Sequence, residues 1–464
     1  MRMLRTLLKG LAWLIGSLSA LVLVTYAVAL VANRHDRPPS QAALQLAAAF
    51  RNLPVVADAD NAFVYATGFY VSPTEDPQVA GVRRITWMRE VVKQPIQSFA
   101  VPPGKNYDFK SARSAAVESL SESCRDVGAE CLANLKLDGA VAEWLTSERW
   151  LLDRYQQLIA RPGWREDVPY DAWLPIAPFA SILEGQKLLL AQAWTYAEAK
   201  NATGVRELLS KDVRFWRHTL EASDFLITKM IAVAALKRNF KFGDLVLRRL
   251  PPELEAQGRP PEWSAQITQS ERSMSRVWLG EWMFANRAIE VGKSQAMWAE
   301  SADQGFLMRV LQRAVDPLLQ PQDLSNTWAE RFTRASAEVD VSYDRYRAAL
   351  ARSNAALASN SGGRFPRIRL YNPLGNFLLW IGGSWPYGSY GPRVVDLEGL
   401  RRVTLLASEL RARGVKAAEI PAALATSERR DPYSGQPFGW DPKSASLMFT
   451  GIEPPPRGVH AVIY

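Results

Sequence analysis

Histidine is nearly absent from this chain, with only His35, His218 and His460 in 464 residues. They are far apart and share no motif. A Ser-His-Asp triad or a histidine-ligated zinc would have to draw on distant segments. The patterns H-E-x-x-H, G-x-S-x-G, S-x-x-K, G-x-x-x-x-G-K-[ST] and G-x-G-x-x-G are all missing. Zinc-protease, serine-hydrolase, penicillin-binding, P-loop and dinucleotide-binding chemistry therefore has no signature here. Tyr387-Gly388-Ser389-Tyr390-Gly391 approximates a nucleophile elbow, but Ser389 directly follows Gly388. No catalytic residue, metal ligand set or cofactor site is assigned.

Cysteine is equally scarce. Cys124 and Cys131 are the only two, in CRDVGAEC. Metal binding would need further ligands that the neighbourhood lacks. Two close cysteines in an exported chain suggest one disulfide. In an unbroken helix they would stand roughly 10.5 Å apart along the axis, and a disulfide needs Cα atoms within about 7 Å. A bond between them therefore requires the helix to break, with Gly128 the natural place. Two free buried thiols are the alternative.

Long uncharged runs are rare too, and the longest is the most informative feature. Gly10 to Ala32, GLAWLIGSLSALVLVTYAVALVA, has no charge over 23 residues. As a helix it can cross a hydrocarbon core of roughly 30 Å. Arg2, Arg5 and Lys9 precede it with no acidic residue, which predicts a cytoplasmic N-terminus. The same run can be read as a cleaved signal peptide, with Ala27-Val28-Ala29 as the cleavage site. Signal cores are about 7–15 residues long, however, so an uncleaved anchor is the expectation. Leu370 to Pro392 is also uncharged, but Pro373, Gly375, Gly382, Gly383 and Pro386 interrupt it.

Charge of one sign is not in large excess. The net charge is +9, and three of those charges lie before the span. Basic residues are scattered among acids and no nucleic-acid motif appears, so a nucleic-acid partner is not expected. Charged residues make up 22% and hydrophobic residues 48%, the balance of a globular chain.

The remaining pattern is helical. Leu324, Trp328, Phe332, Ala335, Val339, Tyr343, Tyr346 and Leu350 recur at steps of three or four, which predicts one helix of about seven turns. Residues 180–200, 203–220 and 224–249 predict three successive helices, with Thr203 as the cap of the second and Pro251-Pro252 ending the third. Asp60 can cap a helix through AFVYATGF. The fold class is therefore mainly α: a transmembrane helix, an antiparallel helix-hairpin bundle or loosely tetratricopeptide-like array, and a small C-terminal α+β element. The expected divisions are a cytoplasmic stub 1–9, an anchor 10–32, an irregular juxtamembrane region 33–110, a helical domain 111–358 and a C-terminal α+β region 359–464. The stretch 360–363, NSGG, reads as the linker before the last of these. A helix is expected from about Asp396 to Arg413, ended by Gly414. Phe438–Trp440 and Ser446–Thr450 should pair as a hairpin, with VHAVIY as a third strand.

Two C-terminal features stand out. Trp380, Trp385, Tyr387 and Tyr390 lie among Gly and Pro, where they cannot all be helix core, and are candidate ligand-binding rings. Most of the 16 tryptophans suit core packing instead. The second feature is the turn formed by Asp431, Pro432, Gly435 and Pro437 in DPYSGQP, where Gly435 permits a positive φ. This stretch resembles the D-P-[FY]-[ST]-G-x-P turn near the C-terminus of membrane-anchored, mostly helical bacterial envelope proteins. The preceding DLEGLRRVTLLASELRARG helix and the NPLG element fit the same resemblance. It covers about the last 100 residues and implies an envelope setting, but no activity. The expected role is a single-pass inner-membrane protein, cytoplasmic at its N-terminus, whose periplasmic helical body binds a protein partner. A carboxylate-only glycan hydrolase or lyase is one alternative, since acids such as Asp58, Asp60, Glu75 and Asp76 are plentiful. A lipid- or glycan-binding module is another.

Overall fold

The computed structural model describes residues 2–94, 99–104, 106–110, 113–125, 127–137, 139–294, 310, 313–360, 369–383 and 389–464. Among these it is mainly helical, with a small antiparallel sheet at the C-terminus. The chain opens with α1 (Arg2–Ala32), α2 (Gln41–Arg51), α3 (Ala62–Gly68) and α4 (Pro77–Val91). Next come α5 (Ala115–Ser123), α6 (Ala129–Leu135), α7 (Ala140–Ser147) and α8 (Arg149–Ile159). Three long helices follow, α9 (Phe179–Glu198), α10 (Ala202–Ala222) and α11 (Leu226–Leu247). Then come α12 (Pro252–Gly258), α13 (Gln269–Arg272), α14 (Ser275–Ser294), α15 (Pro321–Val339) and α16 (Tyr343–Asn360). Last are α17 (Pro373–Gly383), α18 (Tyr390–Ala412), α19 (Ile420–Thr426) and the strands β1 (Gly439–Asp441), β2 (Ser446–Thr450) and β3 (Val459–Ile463).

The chain forms two compact units. The first comprises residues 1–52, 282–333 and 355–386. Within α1, Leu8–Ala32 is long and apolar enough to cross a membrane, and little of it is buried. Its end is held by polar contacts. Asn33 donates to the carbonyls of Ala29 and Leu370 (2.7 and 2.6 Å) and accepts from the Asn372 amide (2.7 Å). Gln320 donates to the Asn33 carbonyl (2.8 Å). Asp36 accepts from the amides of Gln322 and Asp323 (2.7 and 3.0 Å), which satisfies donors left open at the start of α15.

The second unit comprises residues 53–281, 334–354 and 387–464. Its core is built from α9, α10, α11 and α18, whose inward faces are Leu, Val, Ala and aromatic residues. Trp144, Trp164, Trp194, Trp216, Trp263 and Trp278 are enclosed there. Burial of such rings is favoured by area and tolerated where the indole N–H finds an acceptor. Trp216 Nε1 donates to the Tyr155 hydroxyl (2.7 Å) and Trp263 Nε1 to Asn239 Oδ1 (2.9 Å). The Tyr155 hydroxyl in turn donates to Asp212, which also accepts from Gln186 and Asn239 (2.9 and 2.8 Å). One polar chain thus ties α8, α9, α10 and α11, and its buried members are satisfied.

The disulfide forms between Cys124 and Cys131, with Cα atoms 4.6 Å apart. It joins α5 to α6 across a break that Gly128 closes as the N-cap of α6. The sheet has order β1-β2-β3, with Trp440 opposite Leu447 and Phe449 opposite His460.

Several local expectations are corrected. Residues 321–360 form two helices rather than one, separated at Asp340-Val341-Ser342, three residue types of modest helix propensity. Asn201, not Thr203, caps α10 through the Gly204 amide (2.9 Å). Asn61, not Asp60, caps α3. Pro251-Pro252 both ends α11 and opens α12, since proline suits the first helical turn. The stretch 53–94 contains the helix expected through AFVYATGF, α3, buried along its whole length and crossed closely by α4. The linker stretch 361–363 lies outside the described residues.

Candidate functional site

The second unit carries a polar cleft of about 840 Å³, within the size range of ligand pockets. One wall is α18. Its residues Glu398, Arg402, Leu406, Glu409 and Arg413 line the cleft at steps of three or four, so they form one helical stripe. The segment after α12 supplies Arg259, Ser264 and Gln266, and α19 with the following turn supplies Thr426, Ser427, Glu428 and Arg429. In total five arginines face three glutamates: Arg259, Arg401, Arg402, Arg413 and Arg429 against Glu398, Glu409 and Glu428.

The pairing of these charges is uneven. Glu398 is fully buried and accepts from Arg401 Nε and Nη2 (2.9 and 2.6 Å), from Arg402 Nε (2.6 Å) and from the Ile267 amide (3.0 Å). Arg401 Nη1 also donates to the Trp263 carbonyl (2.6 Å). Glu409 is gripped in a two-point fork by Arg429 Nε and Nη2 (2.7 and 2.6 Å). Both carboxylates are thereby committed to guanidinium groups.

Arg259 and Arg413 are different. Arg259 Nε donates to Ser408 Oγ (3.0 Å), but its Nη2 is shielded from solvent with no partner among the described residues. Burial pushes its pKa down from the ordinary arginine value, partly offset by Glu409 and Glu255. Arg413 is exposed at the end of α18, and no ion pair to it is present among the described residues. The cleft therefore offers cationic donors in excess of the acceptors built around it, and its available chemistry is the binding of negative charge.

The residues singled out in the sequence fall elsewhere. Trp380 lies on α17 in the first unit, 41% exposed, with its ring stacked on Phe377. Tyr390 opens α18 in the second unit, half-buried beneath the Arg393 guanidinium. Trp385 and Tyr387 lie outside the described residues. The DPYSGQP turn is tightly built. Asp431 Oδ1 accepts from the amides of Tyr433 and Ser434 (2.8 and 2.9 Å), and Gly435 takes φ +67°. The turn delivers the Tyr433 hydroxyl to Asp396 Oδ1 (2.6 Å), where the amides of Ile452 and Glu453 also donate. It thus locks the C-terminal sheet onto α18.

His35 and His218 are exposed. His460 is buried in β3, stacked on Phe449, with both ring nitrogens lacking partners among the described residues. No group of three His, Cys, Asp or Glu side chains suited to a metal occurs among the described residues. A second groove of about 490 Å³ lies in the first unit, walled by Phe50, Trp282, Met283 and Ile289.

The arginine cleft was missed in the sequence reading. Its one signal is that Glu398, Arg401, Arg402, Glu409 and Arg413 recur at helical spacing on a helix otherwise suited to burial. Comparison with family models, curated proteins and solved structures gives no match.

Proposed function

We propose that the protein is a single-pass, membrane-anchored interaction protein, with its body on the extracytoplasmic side. In a Gram-negative cell that side is the periplasm. The arginine-lined cleft receives an acidic surface of a protein partner. The observation that carries this reading is the excess of arginine in the cleft, with neither Arg259 nor Arg413 in an ion pair among the described residues. Three further features support it. α1 has the length and apolarity of a span. Arg2, Arg5 and Lys9 before it favour a cytoplasmic N-terminus. The Cys124–Cys131 bond suits an oxidising compartment.

The test is cross-linking in intact cells, comparing the full-length tagged chain with Arg259→Gln/Arg413→Glu. Both side chains lie at the cleft, and neither is in an ion pair, so the fold should tolerate the change. The expected result is one dominant partner that is lost in the double variant, and whose complex weakens as salt is raised. An unchanged set of cross-linked proteins in the variant overturns the cleft as the partner site.

A further inference from the structure

We propose that α17 is a second membrane contact, lying in the headgroup layer of the bilayer that α1 spans. The inference rests on reading α1 as the anchor, and begins from how far the first unit reaches along that helix. The Tyr26 hydroxyl donates to the Ala314 carbonyl (2.9 Å), and Ala29 is buried. Among the described residues, contact therefore starts nearly two turns before α1 ends at Ala32. Gly10 to Tyr26, as a helix, measures roughly 25 Å, the short end of what crosses a hydrocarbon core. Lys9 can reach the headgroups on one side, and Tyr26 is of the type that marks the boundary on the other. Residues 27–33 then run through the headgroup layer with the first unit packed along the side that carries Ala29 and Asn33.

α17 is held at that level. Asn372, which immediately precedes it, is fully buried and bonded through its amide to Asn33, one residue past the end of α1. Its side chain caps α17 through the Gly375 amide (3.0 Å) and also joins the amide and carbonyl of Gln320 (2.9 and 3.1 Å). The short turn Asp316–Leu318 touches both α1 and α17. These contacts fix the start of α17 beside the emerging span.

The outer face of α17 is apolar. Gly375 and Leu379 point inward, while Phe377, Leu378 and Trp380 are 44%, 41% and 41% exposed. Leu370, just before the helix, is 45% exposed. No charged residue occurs from Leu370 to Pro392. Such a face meets water at a cost, whereas aromatic and leucine side chains at headgroup depth are favourable. The occupant is therefore the lipid interface, because the face is continuous with the helix that enters it.

The test places a spin label at single cysteines in the full chain reconstituted into vesicles; the two native cysteines are paired in the disulfide. Leu18→Cys reports on the span and Leu378→Cys on α17. Collisions with oxygen and with a water-soluble nickel chelate give the depth of each label. The expected result is that both labels favour oxygen, with position 378 shallower, about 5–10 Å below the headgroup boundary. If position 18 is in lipid but position 378 favours the chelate, the α17 proposal fails and the anchor stands. If position 18 favours the chelate, the anchor reading fails and takes the proposal with it. If position 378 is shielded from both reagents and its labels couple to one another, α17 packs against a second copy instead, and the proposal is overturned.

Discussion

At the scale of single residues, the C-terminal region turns on two buried groups. Asp396 gathers the Tyr433 hydroxyl and two backbone amides, and Gly451 has no room for a side chain because the Asp396 carboxylate sits where its Cβ would be. His460 is the opposite case, a buried base with nothing to accept its protons. Burial, with Lys237 and Lys241 nearby, pushes its pKa down to about 3. In the unfolded chain it titrates near 6.5. Below that pH the unfolded state binds a proton that the folded state refuses until about 3. The stability is complete above 6.5 and is lost as pH falls, by about 1.4 kcal/mol per pH unit. Glu184 adds to this limb only at lower pH, because Lys187, Ser121 and Arg113 outweigh its burial and hold its carboxyl at about 2. Glu166 has the opposite sign, since burial and the neighbouring Asp224 push it up to about 8. The difference between parent and His460→Phe isolates the histidine. Denaturant unfolding between pH 8 and 4.5 should show the parent losing stability relative to the variant as pH falls. A constant difference across that range would show that His460 accepts its proton in the fold.

At the scale of elements, what was legible depended on range. The helices from 179 to 247 and the three C-terminal strands were visible because their apolar spacing is local and repeats at the period of the structure. The disulfide was legible because seven residues and a glycine leave little choice of geometry. Caps were misplaced by one or two residues where two capping types adjoin, as at Asp60-Asn61 and at Asn201 and Thr203. The break at Asp340-Val341-Ser342 was hidden because apolar residues on both sides keep helical phase. The arginine cleft was hidden for another reason: its walls come from residues near 260, 400 and 428, and no local pattern brings them together. The crossing of α3 and α4 shares this character. A Cβ on Gly81 would lie 1.9 Å from the Val64 carbonyl oxygen, and one on Gly68 would lie 2.0 Å from that of Pro77. Backbone meets backbone, so no side chain can yield. Gly81→Ala should therefore force the helices apart and cost about 1–3 kcal/mol or more. Val82→Ala, next to it on the exposed side, should change stability by no more than about 0.5 kcal/mol. Thermal unfolding of the two variants decides it, and equal melting temperatures would contradict the close crossing.

At the scale of the whole molecule, the end of α1 bears on the proposal that this helix is a retained anchor rather than a cleaved leader. Cleavage after Ala27-Val28-Ala29 would need that peptide in an accessible, non-helical form. In the fold Ala29 is buried, α1 continues through Ala32, and the Ala29 carbonyl accepts both the backbone amide and the side-chain amide of Asn33 (3.0 and 2.7 Å). Asn33 is in turn fixed by Leu370, Asn372 and Gln320. Ala29 is therefore tied, through Asn33, to segments more than 280 residues later in the chain, while Ala27 and Val28 stay exposed. Once the body has folded around it, a protease must first undo those contacts. If α1 is the anchor proposed above, these contacts protect it after folding, and the mature protein should keep residues 2–29. Mass spectrometry of the C-terminally tagged protein from membranes should recover peptides from Gly10 to Arg34. A mature chain beginning at Leu30 would show that cleavage precedes folding. Asn33→Ala gives a second reading of the same contacts. If they are what protects the site, the variant should accumulate some chain cut after Ala29 while the parent does not.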